Sequence, residues 1–248
     1  MGILYKTFED KWKRPCGNIW IYSDPHFADA EMQHLRHNYI GDNEQVKRIN
    51  AKVGKNDTLI ILGDIGDTSY ISKLRARYKI LIIGNHDKGA SNYRREIKEI
   101  EHNSDTCPKC GGHLTHDFMT VHNCGYGYAY CHKCGTVECK EDVYADNHLF
   151  DEVYEGPLMI SEKLLLSHEP IPVPEYMFNI HGHDHANREG LNNTQHLNVC
   201  AEHINYEPVS LLKLIKDGLL SNIQDIHKLT VKTATERKQK RNANKNSV

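Results

Sequence analysis

The chain of 248 residues has no long apolar run and no surplus of either charge. The first absence argues against a helical membrane span, which needs about 20 consecutive apolar residues. The second, a formal net charge of -2 at pH 7, leaves no global field to attract nucleic acid or a membrane surface. The stretch Met1-Gly2-Ile3-Leu4-Tyr5-Lys6 lacks an apolar segment behind a basic start, so it does not read as an export signal. Lys6 stands where a myristoylation motif needs Ser or Thr. These features together predict a cytoplasmic protein. No internal repeat is present. Hydrophobic content of 39% and charged content of 26% are ordinary for a globular chain, and the length suffices for one full core with room for an insertion.

Two residue types are in excess. Seventeen histidines raise the expectation of a metal site, because imidazole is the commonest metal ligand. Eight cysteines, without an export signal, favour metal binding over disulfides.

Apolar runs and helical spacing divide the chain. Asn18–Asp24, Thr58–Leu62 and Lys79–Ile83 read as buried strands, with a helix from about Asn43 to Val53 between the first two and a short one near Tyr70 to Arg77. Asp42 followed by Gln45 resembles a capping box. Strand–helix alternation predicts an α/β sheet with parallel strands, in which ligands gather at the carboxyl ends. Further strand candidates lie at Leu149–Tyr154, Leu158–Ile160, Lys163–Leu166, Met177–Ile180, His196–Cys200 and Ser210–Ile215. Between them, residues 102–142 lose the apolar pattern and read as an inserted module, leaving residues 1–101 and 143–235 as the main domain. Residues 236–248 are basic and too polar to pack, so they read as a disordered tail.

Five ligand clusters follow the strands: Asp24-Pro25-His26, Gly63-Asp64, Gly84-Asn85-His86-Asp87, Ser167-His168 and His181-Gly182-His183-Asp184-His185. Such a set can hold two divalent cations about 3.5–4 Å apart, bridged by a carboxylate, and such pairs cleave phosphate esters. Asp64, ending the central apolar strand, is the candidate bridge. Asp24 and His26, like His183 and His185, alternate along what reads as an extended stretch, which would point each pair to one side. Asn85 offers a neutral oxygen that adds no negative charge beside an anionic substrate.

In order and type these clusters resemble the calcineurin-like metallophosphoesterase superfamily, over Asp24 to His185 and on through Asn198-Val199 and Tyr206-Glu207-Pro208-Val209. The resemblance implies a β-sandwich of mixed sheets flanked by helices. It implies one metal held by Asp24, His26, Asp64 and His185, and a second held by Asp64, Asn85, His168 and His183. It also implies a water or hydroxide between the ions as nucleophile and His86 protonating or stabilising the leaving group. Asp87 either holds the His86 ring or caps a helix starting near Lys88. One departure stands out: where many relatives have Gly-His, this chain has Phe27-Ala28-Asp29-Ala30. The metals themselves are open, since Asp, His and Asn suit Mn, Fe, Zn or Ni.

In the insertion, Cys107-Pro108-Lys109-Cys110 and Cys131-His132-Lys133-Cys134 are two knuckles with glycines behind them, a zinc-ribbon spacing. One structural Zn²⁺ would stabilise a module too small and polar to fold alone. Its role is open among a wall beside the active site, a dimer contact and a nucleic-acid finger. Tyr126, Tyr128 and Tyr130 alternate between the knuckles, either as a stacking platform or as plain strand packing. The function that follows is dinuclear-metal hydrolysis of a phosphomonoester or phosphodiester, on a substrate that extends to nucleotides or nucleic acid. Its rivals are a nuclease using the zinc module and basic tail, a non-catalytic scaffold of the same fold, and a redox-active thiol protein.

Overall fold

The computed structural model of the chain describes residues 4–13, 17–36, 38–93, 106–107, 109–121, 124–135, 137–140, 149–186 and 193–245. The strands in chain order are β1 (Ile19–Tyr22), β2 (Thr58–Ile61), β3 (Tyr78–Ile82), β4 (Leu114–Val121), β5 (Cys124–Cys131), β6 (Val137–Lys140), β7 (Glu152–Tyr154), β8 (Leu158–Met159), β9 (Leu164–Leu166), β10 (Phe178–His181), β11 (His196–Asn198) and β12 (Val209–Ser210). The helices are α1 (Lys6–Trp12), α2 (Ala30–Leu35), α3 (Asp42–Lys52), α4 (Leu211–Lys216) and α5 (Ile226–Lys245). Two compact units result: Met1–Asn92 with Glu152–Val248, and Tyr93–Asp151. The second is wider than the insertion read from sequence at 102–142.

The first unit holds two mixed sheets. One runs β12-β1-β2-β3-β7, with β12 antiparallel and the rest parallel. The other runs β11-β10-β9-β8, with only β8 antiparallel. Alternate residues of the first sheet (Ile19, Ile21, Ile60, Leu62, Ile80, Ile82) pack into one core with Leu164, Leu166, Phe178 and Ile180 of the second. The intervening Leu59, Ile61 and Leu81 are buried as well. That is why β2 reads as a continuous apolar run: a parallel strand covered on both faces has no polar alternate. The mixed sandwich anticipated from sequence is the observed architecture. Beyond the named strands, Ser23 bridges Cys200, so the two sheets meet just past the ends of β1 and β11.

Some local expectations are corrected. The strand expected over 210–215 stops at Ser210, the end of β12, and α4 begins at Leu211: Ser210 caps it by accepting the Lys213 amide (3.3 Å), and Leu211 is buried. Asp42 is the first residue of α3, not its cap. Its carboxylate accepts the Ala28 amide (3.1 Å) and the Tyr39 hydroxyl (2.7 Å). The short helix expected near Tyr70 is a 3-10 turn at Thr68–Lys73. α5 runs on through residues 236–245 of the stretch read as a tail, where Lys, Arg, Gln and Ala are good helix formers even without a buried face; residues 246–248 lie outside the described residues. Cys16 and residues 102–105 and 141–142 lie outside the described residues.

The second unit carries an antiparallel sheet in the order β4-β5-β6. Among the described residues no helix is long and apolar enough to cross a membrane.

Asp57 ties the start of the first sheet together. Its carboxylate accepts the amides of Asn18 (2.8 Å) and Gly54 (2.7 Å) and the Trp20 indole N–H (2.8 Å). Asp57→Ala strands three donors, and we expect a loss of at least about 2 kcal/mol in urea unfolding.

Candidate metal centre

Every ligand cluster sits where a strand of the first unit ends. β1 delivers Asp24 and His26, β2 delivers Asp64, β3 delivers Asn85, β9 delivers His168, and β10 delivers His183 and His185. The extended geometry expected for the Asp24–His26 pair is not what brings them together. Asp24 (φ 55°), His26 (φ 45°), Asp64 (φ 54°) and His183 (φ 65°) all adopt the left-handed region. That backbone is costly for residues with side chains and is kept where a site demands it. Two glycines show how tight the site is. A Cβ on Gly182 would lie 1.9 Å from Ser23 Oγ and 2.1 Å from Asp24 Oδ2, and one on Gly84 would lie 2.2 Å from Asp64 Oδ1.

Two groups of ligand atoms form, Asp24-His26-His185 and Asp64-His168-His183. Asp64 Oδ2 lies 3.4 Å from His26 Nε2 and 3.4 Å from His168 Nε2, so it faces both. Asn85 Oδ1 lies 2.8 Å from His168 Nε2 and 3.0 Å from His183 Nδ1. Asp24 Oδ1 lies 3.5 Å from His185 Nε2 and 4.0 Å from His26 Nε2.

The tautomers decide what these contacts mean. His168 Nδ1 faces the Leu62 carbonyl (2.7 Å), His26 Nδ1 faces Asp29 Oδ2 (2.9 Å), and His185 Nδ1 faces Glu202 Oε1. Those oxygens only accept, so each imidazole donates there and turns a bare Nε2 inward. The inward lone pairs then confront carboxylate and amide oxygens. Asp24 Oδ1 and His26 Nε2 are both buried without a hydrogen-bond partner. Acceptors crowded in this way need positive charge among them, and divalent cations with N and O ligands meet that need. Protonation meets it only in part. Burial opposes charge on His26, but the Asp64 and Asp24 carboxylates beside it lift its pKa above the usual value. Burial likewise pushes Asp64 upward, yet His26, His168 and the His86 amide around it hold it at about 2.

Several contributors escaped the sequence reading. Asp29, in the stretch that departs from relatives, holds the His26 ring and also caps α2 through the Met32 amide (3.1 Å). Glu202 holds His185. Arg36, 7% exposed, donates to the carbonyls of Asp24 and Pro25 and pairs with Glu202 at 3.7 Å. Asp24 Oδ2 accepts from Ser23 Oγ, the His183 amide (2.9 Å) and Cys200 Sγ (3.2 Å), which turns Oδ1 toward the ligand cluster. Ser23 and Asp29 stand beside a cluster as small polar or acidic residues, whereas Arg36, Cys200 and Glu202 carry no local signal.

His86 is exposed, its ring 5.5 Å from that of His26 and its amide held by Asp64 Oδ1 (2.9 Å). Asp87 contacts the backbone of neighbouring turns. Its carboxylate accepts the amides of Asp64, Ile65 and Gly84, each at 2.9 Å, and so it braces the two glycine turns. Among the described residues no α-helix starts near Lys88; the next helical element is a 3-10 turn at Ala90–Asn92. His181 is buried, facing the Gly182 carbonyl at 2.9 Å.

In the second unit Cys107, Cys110, Cys131 and Cys134 bring four sulfurs within 4.8 Å of one another. Gly111 and Gly135 have φ of 67° and 69°, and their amides bond the carbonyls of Cys107 and Cys131 at 2.8 Å. The two knuckles therefore turn alike. Four thiolates in this arrangement suit a closed tetrahedral Zn²⁺ site. Tyr130 is 39% exposed, and the side chains of Tyr126, Tyr128, Cys124 and Cys139 lie outside the described residues.

A family model for calcineurin-like phosphoesterases matches residues 17–199. The chain belongs to the calcineurin-like phosphoesterase family. The match ends at Val199, past His185, so it takes in every residue of the candidate cluster. A crystal structure of a protein of unknown function from Aquifex aeolicus is similar in fold, with a TM-score of 0.50 and 21% identity. The similarity covers 81% of this chain and 98% of that one. A comparison with curated proteins finds no match.

Two outcomes follow for this phosphoesterase-family chain. Gly182→Ala should displace Asp24 and lower bound transition metal by elemental analysis at least tenfold, with circular dichroism unchanged. Replacing Cys107 and Cys131 together by Ser should release one zinc and destabilise the second unit; unchanged zinc content would refute the thiolate site.

Proposed function

We propose that the chain is a two-metal hydrolase of phosphate esters. The observation that carries this reading is the position of Asp64 Oδ2, equidistant at 3.4 Å from the imidazoles of the two ligand groups. Asp24, His26, His185 and Asp64 would hold one cation. Asp64, Asn85, His168 and His183 would hold the other. Bound there, two divalent cations of the Mn, Fe, Zn or Ni type would polarise a phosphoryl oxygen and supply water activated near neutral pH.

The residues of the chain supply the rest. Asn85 and the imidazoles ligate without adding negative charge, which leaves the centre attractive to an anionic ester. Asp29, Glu202 and the Leu62 carbonyl fix the inward face of three rings, as carboxylate and carbonyl partners of metal-bound histidines do. His86, exposed at the rim and anchored through its amide, is placed to give a proton to the departing oxygen. A cleft of about 360 Å³ adjoins His185 and is lined by Met32, Leu35, Arg36, Glu202 and His203, with room for the organic part of the ester. The thiolate site, closed by four sulfurs, leaves no position for substrate and is structural. The complete ligand set supports an enzyme over a scaffold that has lost its chemistry.

The test is turnover of a chromogenic phosphodiester and a chromogenic monoester with added Mn²⁺. Asp64→Asn should abolish detectable turnover. His86→Ala should lower kcat by roughly 10²–10⁴ with metal content retained, the range for a lost general acid. Wild-type rates in both variants would refute the mechanism.

A further inference from the structure

We propose that α5 is an arm that grips the phosphate backbone of a nucleic acid. Its 20 residues extend over about 30 Å. They carry seven Lys or Arg residues and one acid, Glu236, a net of +6. The whole chain is -2, so the remainder is -8, and positive charge is concentrated on this one element. Residues 230–240 of the helix are exposed throughout, including Val231 at 66%. On a helix of 3.6 residues per turn, positions Arg237, Arg241 and Lys245 repeat every four residues, and Lys238 falls beside them on the same face. Lys228 and Lys232 form a second such step nearer the start.

Like charges four residues apart repel and weaken an isolated helix. A polyanion laid along the face reverses the sign of that contribution, so the partner should stabilise the arm. The residues between the cations are Gln239, Asn242 and Asn244, which add hydrogen-bond donors suited to phosphate and sugar oxygens. The helix lacks the apolar face that a membrane surface would require, because past Val231 its only apolar residues are alanines. A phosphodiester backbone, with one charge per about 1.7 Å of duplex, offers a phosphate within reach of every cation along the arm. The proposal concerns binding and does not rest on hydrolysis at the metal centre.

The experiment measures binding of a fluorescent 20-base-pair DNA duplex by anisotropy across a salt series, with full-length Asp64→Asn protein so that cleavage cannot intervene. Four backbone contacts predict a slope of log K against log salt of about -3 to -4. Changing Arg237, Lys238, Arg241 and Lys245 to Gln, which keeps helix propensity, should weaken binding at least tenfold at low salt and flatten the slope by about three. Turnover of a small chromogenic ester by the same fourfold change in the wild-type background should not move. A fourfold variant that binds within twofold of its parent would overturn the arm, as would polyglutamate bound as tightly as the duplex. Deleting residues 226–248 provides a second reading, and unchanged binding there would overturn it as well.

Discussion

Lone pairs facing lone pairs are the constraint on which the rest of the first unit depends. Imidazole nitrogens, carboxylate oxygens and one amide oxygen approach within 2.8–4.0 Å, and the hydrogens of His26, His168 and His185 are pinned on the far side. Without cations this arrangement is repulsive, and it persists only because the surroundings over-determine it. Four ligands hold left-handed backbone, glycines stand where any Cβ would collide, and a buried arginine clamps two carbonyls of the first loop. Each of these devices costs stability and keeps the ligands from relaxing outward.

The sandwich supplies the stiffness. β1, β2 and β3 lie parallel in one sheet, β9, β10 and β11 in the other, and the carboxyl ends of both sets open onto the cluster. A core shared between the sheets leaves little freedom for one to slide over the other, since close-packed side chains resist it. The Ser23–Cys200 bridge joins the sheets beside Asp24 itself, and Cys200 and Ser23 both touch that carboxylate. Asp87 does the same for the first sheet alone, fastening the turns after β2 and β3 through three amides.

Much of this was legible beforehand. The apolar runs of β1, β2 and β3 and the residues behind them gave strands and ligands together, because a buried parallel strand and a ligand at its end leave adjacent marks. The two knuckles were equally clear, their spacing being local. Where reading failed, two structures were consistent with the same local pattern. Ser210–Ile215 is apolar enough for a strand, and a capping serine with a buried Leu211 decides for helix. Asp87 reads locally as an orienting acid or a cap, and its bonds to the amides of Asp64 and Ile65, which follow another strand, leave no mark in the local pattern.

The sequence by itself determined which residue types cluster, their order along the chain, the strands that carry them and the paired cysteines. These are properties of residue type, spacing and periodicity, and none requires distant parts of the chain to meet. Only the tertiary structure decided which nitrogen of each histidine faces inward, because that depends on an oxygen contributed from elsewhere: Glu202 for His185, and Leu62, 106 residues away, for His168. It also decided that Asp64 faces both ligand groups, since a carboxylate bridges only when two sets of side chains from separate strands arrive on either side of it.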